Sequence, residues 1–316
     1  MTSQPLPLVQ LTSRRDGQLA ADGRSAHKPP WLKVKAPGGA TYAQVRRVMR
    51  DLRLHTVCEE AHCPNVGECW EHRAATFMIL GDLCTRNCAY CAVAHGTPLP
   101  PDAEEPRRLA EAAAERGLQY LVVTSVDRDD LPNGGAEQFA AVVAETRLRG
   151  PGAASELRIP DFKGNEAALR IVVASRPDIL NHNLETVRRL YRLARPGGRY
   201  DRALELLARA KAMDPAAVTK SGVMVGLGET WDELVLALRE LRDVGVDLLT
   251  IGQYLRPSAS HLPVARYYTP EEFAELGRLG REMGYRHVES GPLVRSSYHA
   301  WEQARQAGAG AEAPAR

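Results

Sequence analysis

Thr76-Phe77-Met78-Ile79-Leu80-Gly81-Asp82-Leu83-Cys84-Thr85-Arg86-Asn87-Cys88-Ala89-Tyr90-Cys91 is the stretch from which the rest of the chain is read. It opens as a short apolar run of the kind a buried strand takes. A glycine then leads into three cysteines spaced Cys-x3-Cys-x2-Cys. Cysteines this close let one loop wrap a cubane cluster, each thiolate on a different iron. A [4Fe–4S] cluster usually has four cysteine ligands, so three leave one iron open to an outside ligand.

The other three cysteines lie upstream as Cys58-x4-Cys63-x5-Cys69, and none of the six is left over. Three thiolates again suggest a cluster, here with one ligand that is not cysteine. Zinc is the competing reading. A structural zinc site wants four ligands, often in paired Cys-x2-Cys knuckles, so a histidine such as His62 or His95 would have to complete it. A ferredoxin-like carrier would show Cys-x2-Cys-x2-Cys with a remote fourth cysteine, in a far shorter chain.

Downstream of residue 75, short apolar runs alternate with helical patterns. The runs are 76–80, 120–124, 178–180, 222–225 and 248–251, with a weaker one at 157–159 that carries Arg158 where a buried strand wants an apolar residue. The helical patterns are 106–116, 136–148, 165–174, 199–213 and 230–245. Such alternation predicts βαβ units on a parallel sheet. About six units suit an α/β fold with a partial (β/α)6-type barrel, whose site lies at the carboxyl ends of the strands. Ahead of the first triplet, Val45, Val48, Met49 and Leu52 recur at helical spacing within 41–52. The expected organisation is a tail at 1–30, an N-terminal extension at 31–72, the barrel at 73–285, a C-terminal extension at 286–303 and a tail at 304–316.

Composition excludes other classes. With 41 basic and 39 acidic residues the net charge is only +2, which gives no whole-protein field for nucleic acid. No run of 18 apolar residues suggests a membrane span. Residues 1–30 lack the apolar segment of a secretory signal, and Asp16 and Asp22 disfavour a transit peptide. The expected place is the cytoplasm, where six cysteines are metal ligands or catalytic groups rather than disulfides.

Cys-x3-Cys-x2-Cys after a first barrel strand, with Tyr90 before the last cysteine, resembles the radical S-adenosylmethionine (SAM) superfamily signature. The resemblance narrows further. The run 58–70, Cys-Glu-Glu-Ala-His-Cys-Pro-Asn-Val-Gly-Glu-Cys-Trp, is similar to lipoyl synthases. So are 76–88, 124–131, Asn181-His182-Asn183-Leu184-Glu185-Thr186, the run from Lys220 to Thr230, Ile251-Gly252-Gln253-Tyr254-Leu255 and Arg295-Ser296-Ser297-Tyr298, in order over about 28–302.

What the resemblance implies is specific. Cys84, Cys88 and Cys91 would hold the cluster whose open iron chelates SAM and reductively splits it to a 5′-deoxyadenosyl radical. Cys58, Cys63 and Cys69, with Ser297 as fourth ligand, would hold an auxiliary [4Fe–4S] cluster consumed as the sulfur source. Both extensions would help to bind it. Two sulfur atoms would enter an octanoyl chain at C6 and C8, the chain being carried on a lysine of a lipoyl carrier protein. Such carriers are the lipoyl domains of 2-oxoacid dehydrogenase E2 and the glycine cleavage H protein. A flavodoxin or ferredoxin would supply electrons, and an iron–sulfur carrier would rebuild the cluster. Methylthiotransferases, also two-cluster enzymes, would carry an added RNA- or acceptor-binding module, which is not visible here. A non-enzymatic iron–sulfur carrier would fail to cleave SAM.

Further candidates follow the apolar runs. Thr124, Ser125, Asp127 and Arg128 come after the second run, where the resemblance implies contact with the methionine end of SAM. Asn181 and His182 end the fourth, facing SAM or the acyl chain. Gly222-x3-Gly226-x2-Glu229 resembles a barrel motif that supports SAM, glycine letting the backbone approach a ligand. Finally, 188–199 carries five arginines. A basic rim would steer an acidic carrier, and a solvated helix face paired to nearby acids is the plainer reading.

Overall fold

A computed structural model describes residues 28–34, 38–51, 54–61, 63–71, 76–115, 117–306 and 308. Of the expected tails, 1–27 and all of 304–316 except 304–306 and 308 lie outside these residues. So does His62, and so do the side chains of Val45, Val48 and Leu52 from the first helical pattern.

Among the described residues one sheet of eight strands runs in chain order, β1 (His55–Thr56), β2 (Thr76–Ile79), β3 (Tyr120–Ser125), β4 (Ala154–Arg158), β5 (Ile179–Asn181), β6 (Val218–Val225), β7 (Leu248–Gln253) and β8 (His287–Gly291). β1 is antiparallel to β2, and every later pair is parallel. Parallel neighbours need a crossover, and each has one. These are α4 (Glu105–Glu115), α5 (Ala136–Arg149), α6 (Glu166–Ala174), α7 (Arg188–Ala194) with α8 (Tyr200–Met213), α9 (Trp231–Asp243) and α10 (Pro270–Glu282). Six βα units result, in a sheet whose two edges, β1 and β8, do not pair. This is the expected partial barrel with a strand added at either edge. Before it stand α1 (Ala40–Asp51), α2 (Val57–Glu60) and α3 (Val66–Glu71), and α11 (Ala300–Gln306) follows.

The helices form for local reasons and stay for packing ones. Thr230 and Glu233 close a capping box on α9, and Thr269 and Glu272 close one on α10, with Pro270 in its first turn. α9 buries Leu234, Ala237, Leu238 and Leu241, one stripe at helical spacing. Each leucine so buried stabilises the fold by about 1.5–3 kcal/mol. On α10, Gly280 lets the helix lie close to β8, since a Cβ there would meet Val288 Cγ2 at 2.9 Å.

Three strand expectations change. The weak run at 157–159 is the end of a five-residue strand that starts at Ala154. β6 begins at Val218 rather than 222, so Lys220 and Ser221 lie inside it. β1, β8 and α10 fall outside the expected runs and helical patterns, and α7 is the helix of the plainer reading of 188–199.

Within the sheet sits a polar cluster whose charged pair is fully buried. Lys220 Nζ lies 3.0 Å from Glu156 Oε2, and both side chains are completely buried. Tyr120 Oη donates to the same oxygen at 2.8 Å, and Asn181 Nδ2 donates to Glu156 Oε1 at 2.8 Å. Burial pulls the Lys220 pKa down, and the carboxylate of Glu156 opposes this. Glu156→Gln and Lys220→Met singly are each expected to cost about 3–5 kcal/mol, because each strands a buried charge. The double variant Glu156→Gln/Lys220→Met, which removes both charges and keeps an acceptor for Tyr120 and Asn181, should recover most of that loss, as read from urea denaturation midpoints.

Candidate functional site

The chain leaves β2 through a sharp bend, with positive φ at Leu80 (69°) and Gly81 (90°). That bend is pinned at both polar atoms of one peptide residue. Leu80 N donates to Glu105 Oε2 at 2.9 Å, and Arg128 Nη1 donates to Leu80 O at 3.2 Å. Arg128 also grips Asp130 through Nε and Nη2, so its fork is fully engaged in holding the loop. Beyond the bend the cysteine loop closes on itself, since Cys84 N donates to Ala94 O and Gly96 N to Cys84 O.

Three other segments hold that loop. Thr85 N and Oγ1 both donate to Asp127 O, after β3. Ala89 N donates to Ala194 O, at the end of α7. His261 Nε2 meets Cys91 O at 2.8 Å, and Leu262 N donates to Ala89 O. Arg86 lies beneath, donating to both oxygens of Asp129 at 2.8 Å and to Asp161 Oδ1 at 2.6 Å. Arg202 takes the other oxygen of Asp161 at 3.1 Å. Although burial opposes it, these contacts keep Asp161 ionised, far below the usual carboxylate range.

All six cysteines are free thiols. Burial, offset by Arg195 but reinforced by Asp127 and the other two thiols, pushes Cys88 up to about 12. Burial likewise raises Cys84 and Cys91. Such thiols become thiolates only beside strong positive charge, as bound iron provides.

Near this loop are buried polar atoms without a hydrogen bond in the protein: Ser125 Oγ, Asp127 Oδ1, which has only an ion pair with Arg86 Nη1 at 3.5 Å, His182 Nε2, Asn183 Oδ1 and Arg195 Nε. A small ligand bearing both charges would satisfy them, and three free thiols fit a cluster with one open iron. His182 Nδ1 lies 2.8 Å from Ile159 O, a pure acceptor. Burial first, and Arg195 second, depress the His182 pKa to about 4. The ring is therefore neutral with its proton on Nδ1, and Nε2 offers a lone pair.

The first triplet has its own cavity. Cys58 lies on α2, which Thr56 caps through Glu59 N, and Cys69 lies on α3. Cys63 N donates to Cys58 O between them. The cavity, of about 410 Å³, is lined by Cys58, Cys63, Cys69, Thr76, Arg295 and Ser297, among others. Thr76 Oγ1 donates to Ser297 Oγ at 2.7 Å, a contact spanning 221 residues. Asn65 Nδ2 donates to Leu293 O at 2.7 Å, and Tyr298 Oη to Glu68 Oε1 at 3.1 Å. Burial and mutual repulsion raise Cys58 to about 11 and Cys69 to about 12. Four donors around one cavity of this size suit a cubane. Among the described residues no three His, Cys, Asp or Glu side chains form a site for a single metal ion; a cubane instead spreads its thiolates over separate irons.

Comparison with known proteins agrees with this geometry. Residues 78–241 match the model of the radical SAM superfamily, and residues 11–63 match the N-terminal domain of lipoyl synthase. A lipoyl synthase of Rubrobacter xylanophilus is 57% identical over 284 residues, covering 90% of this chain and 88% of that protein. Another, of Koribacter versatilis, is 59% identical over 281 residues, covering 89% and 92%. The chain belongs to the lipoyl synthase family. It is a radical SAM enzyme, and that superfamily implies a [4Fe–4S] cluster and SAM. Two solved structures share the fold at low identity. Methylornithine synthase has a TM-score of 0.52 at 16% identity, covering 77% of this chain and 68% of that one. Streptococcus suis SuiB bound to its precursor peptide has 0.54 at 11%, covering 72% and 52%.

The remaining candidates differ in how free they are. Tyr90 precedes Cys91, and burial and Glu185 raise its hydroxyl against the pull of Arg195. Thr124 is occupied, donating to Arg158 O at 3.0 Å and accepting from Arg158 Nε at 3.1 Å. Asn181 spends its amide on Glu156 and keeps Oδ1 unpaired. Gly222 and Gly226 make room for the chain itself. A Cβ at 222 would meet Thr250 Oγ1 at 2.5 Å and Asn183 Oδ1 at 3.1 Å, and one at 226 would meet Gln253 Nε2 at 2.2 Å. Glu229 folds back onto that turn, accepting from Gly226 N at 2.6 Å and Leu227 N at 2.9 Å.

The arginine run is corrected. Arg195 is buried and donates to Asn183 O at 3.0 Å, so it faces the site rather than a rim. Arg188 pairs with Asp201 and Glu240, and Arg189 with Glu233. The plainer reading of a paired helix face describes those two. One signal for Arg195 is local: it is the residue that ends α7, four after buried Tyr191, and its N–H donates to Tyr191 O. Asn183 and Glu185, from the same motif as His182, lie near it too: Asn183 O accepts from Arg195, and Glu185 acts on the charge of Tyr90.

His182 gives a pH signature. Its folded pKa lies below the ordinary 6.5, so its contribution to stability is complete above pH 6.5 and is lost as pH falls towards 4. Across that window wild type is expected to lose about 3 kcal/mol relative to His182→Asn, measured by urea midpoints at each pH.

Proposed function

We propose that this chain inserts two sulfur atoms at C6 and C8 of a protein-bound octanoyl chain, and that its own first triplet holds the cluster that donates them. The observation that carries this reading is the cavity in which Cys58, Cys63 and Cys69 meet Ser297 from the far end of the fold. In it Cys84, Cys88 and Cys91 hold the SAM-cleaving cluster, and Ser297 is the fourth ligand of the auxiliary one. A serine oxygen is harder than thiolate and a weaker match for cluster iron, so it is the ligand best able to leave. When bound, the two clusters and SAM supply the radical that removes hydrogen from an unactivated carbon and the sulfur that replaces it.

The protein's own part is to hold, orient and exclude. In this reading Ser125, Asp127, Asn181 and His182, together with Tyr90, Asn183, Glu185 and Arg195, would surround SAM. Thr124 and Arg128 keep the ends of the strands in place, and Glu229 with Gly222 and Gly226 keeps the β6 turn in shape. The division into an extension at 31–72, a barrel at 73–285 and a C-terminal extension at 286–303 fits these roles.

Family membership implies a lipoyl carrier protein as substrate. E2 lipoyl domains and the glycine cleavage H protein are the proposed carriers, a flavodoxin or ferredoxin the reductant, and an iron–sulfur carrier the source of a new auxiliary cluster. The proposed place is the cytoplasm, whose reducing conditions keep six thiols available; among the described residues no helix is long and apolar enough to cross a membrane.

Anaerobically reconstituted protein is expected to hold about eight irons per chain, two cubanes' worth. Alanine at Cys84, Cys88 and Cys91 should halve the iron and abolish SAM cleavage under dithionite. Alanine at Cys58, Cys63 and Cys69 should leave deoxyadenosine formation but no gain of two sulfurs on an octanoylated carrier by mass spectrometry. Normal lipoyl formation by the latter variant would remove the sulfur-donor role.

A further inference from the structure

Arg158 is the residue that a buried parallel strand should not carry. It ends β4, in register with Thr124 on β3 and Asn181 on β5. Placing a guanidinium there has a desolvation cost unless its donors are used. They are used in two directions. Nε donates to Thr124 Oγ1 at 3.1 Å, and Thr124 returns a bond to Arg158 O at 3.0 Å. Nη1 donates to Ser296 Oγ at 2.7 Å, across 138 residues of chain. Among the described residues Arg158 has no carboxylate at ion-pair distance: Glu156, two residues back on the same face, is bonded to Lys220, Asn181 and Tyr120.

Ser296 is a sensitive place to be held. Tyr298 N donates to Arg295 O at 2.9 Å, so Ser296 and Ser297 are the two central residues of a tight turn. Rotation of that turn swings both side chains together. Its far side is fixed by Thr76 on Ser297 and its approach by Asn65 on Leu293. From β4 the hold comes through Arg158.

We propose that Arg158 is a positioning residue for the first triplet's cavity, locking the 295–298 turn through Ser296 so that Ser297 Oγ faces the three thiols. This rests on the reading of Ser297 as a cluster ligand.

The test isolates the auxiliary cluster in full-length protein carrying alanine at Cys84, Cys88 and Cys91, and follows loss of the iron–sulfur absorbance to a chelator. Arg158→Leu and Ser296→Ala are each expected to release the cluster about tenfold faster, as loss of a ligand's hydrogen-bonded support does. Because they remove the same bond, the double variant should be no faster than either single one. Ser297→Ala should release the cluster at least as fast, and adding Arg158→Leu to it should change nothing. If Ser297→Ala is slow to release while the others are fast, or all behave as wild type, Ser297 is not the ligand and both readings fall. If Ser297→Ala is fast but Ser296→Ala is like wild type, the ligand stands and the positioning role is overturned. Additive effects of Arg158→Leu and Ser296→Ala overturn it as well. Ser296→Ala removes a single oxygen from a turn, so it decides the matter even if Arg158→Leu fails to fold.

Discussion

The hydrogen bond from Thr76 to Ser297 joins the first parallel strand to a turn six residues beyond the last one. An open sheet satisfies that constraint only if it curls until its ends approach. The curl is what puts the first triplet, the β2 edge and the 295–298 turn around one cavity. Glycine makes the final approach possible: a Cβ at residue 252 on β7 would lie 2.1 Å from Val294 O. The turn thus lies directly over strand backbone, and the fold closes through contact rather than through strand pairing.

The interior that this curl encloses is unusually polar for a parallel sheet, whose strands ordinarily read as apolar on both faces. Glu156 and Lys220 balance each other, Asp161 is shared by Arg86 and Arg202, and Asn181 and Tyr120 complete the Glu156 cluster. Each group spends its donors on a defined partner. Among the buried polar atoms left without a hydrogen bond are those on Ser125, Asp127, His182, Asn183 and Arg195, and of these Asp127 and Arg195 act directly on the charge of Cys88. The Glu156–Lys220 pair thus lies within the strands, while the Arg86–Asp161 pair lies beyond their carboxyl ends, beside the cysteine loop.

Much of this was legible from residue order. Two cysteine spacings, the apolar run before the second, and six strand–helix alternations identify the barrel and both triplets. What escaped had weak local signals. β1 is two residues long, and β8 (His-Val-Glu-Ser-Gly) has one buried side chain, so neither shows an apolar run. Lys220 and Arg158 sit in strands that hydrophobicity alone marks as broken, because their charges are met only by tertiary partners far along the chain. Arg195 reads with its charged neighbours, although it ends α7 beside buried Tyr191 and Ala194.

The cavity of the first triplet has walls from opposite ends of the fold, with Cys58 to Cys69 on one side and residues 295–302 on the other. Synthesis runs from the N-terminus, so the three cysteines emerge long before the turn that faces them. The second triplet meets its last tether at His261 and Leu262, some thirty residues sooner. The two sites thus acquire their complete walls in a fixed temporal order. Whatever delivers iron and sulfide to the first triplet during translation meets an open groove, and the finished pocket exists only once residues 295–302 have been made and folded.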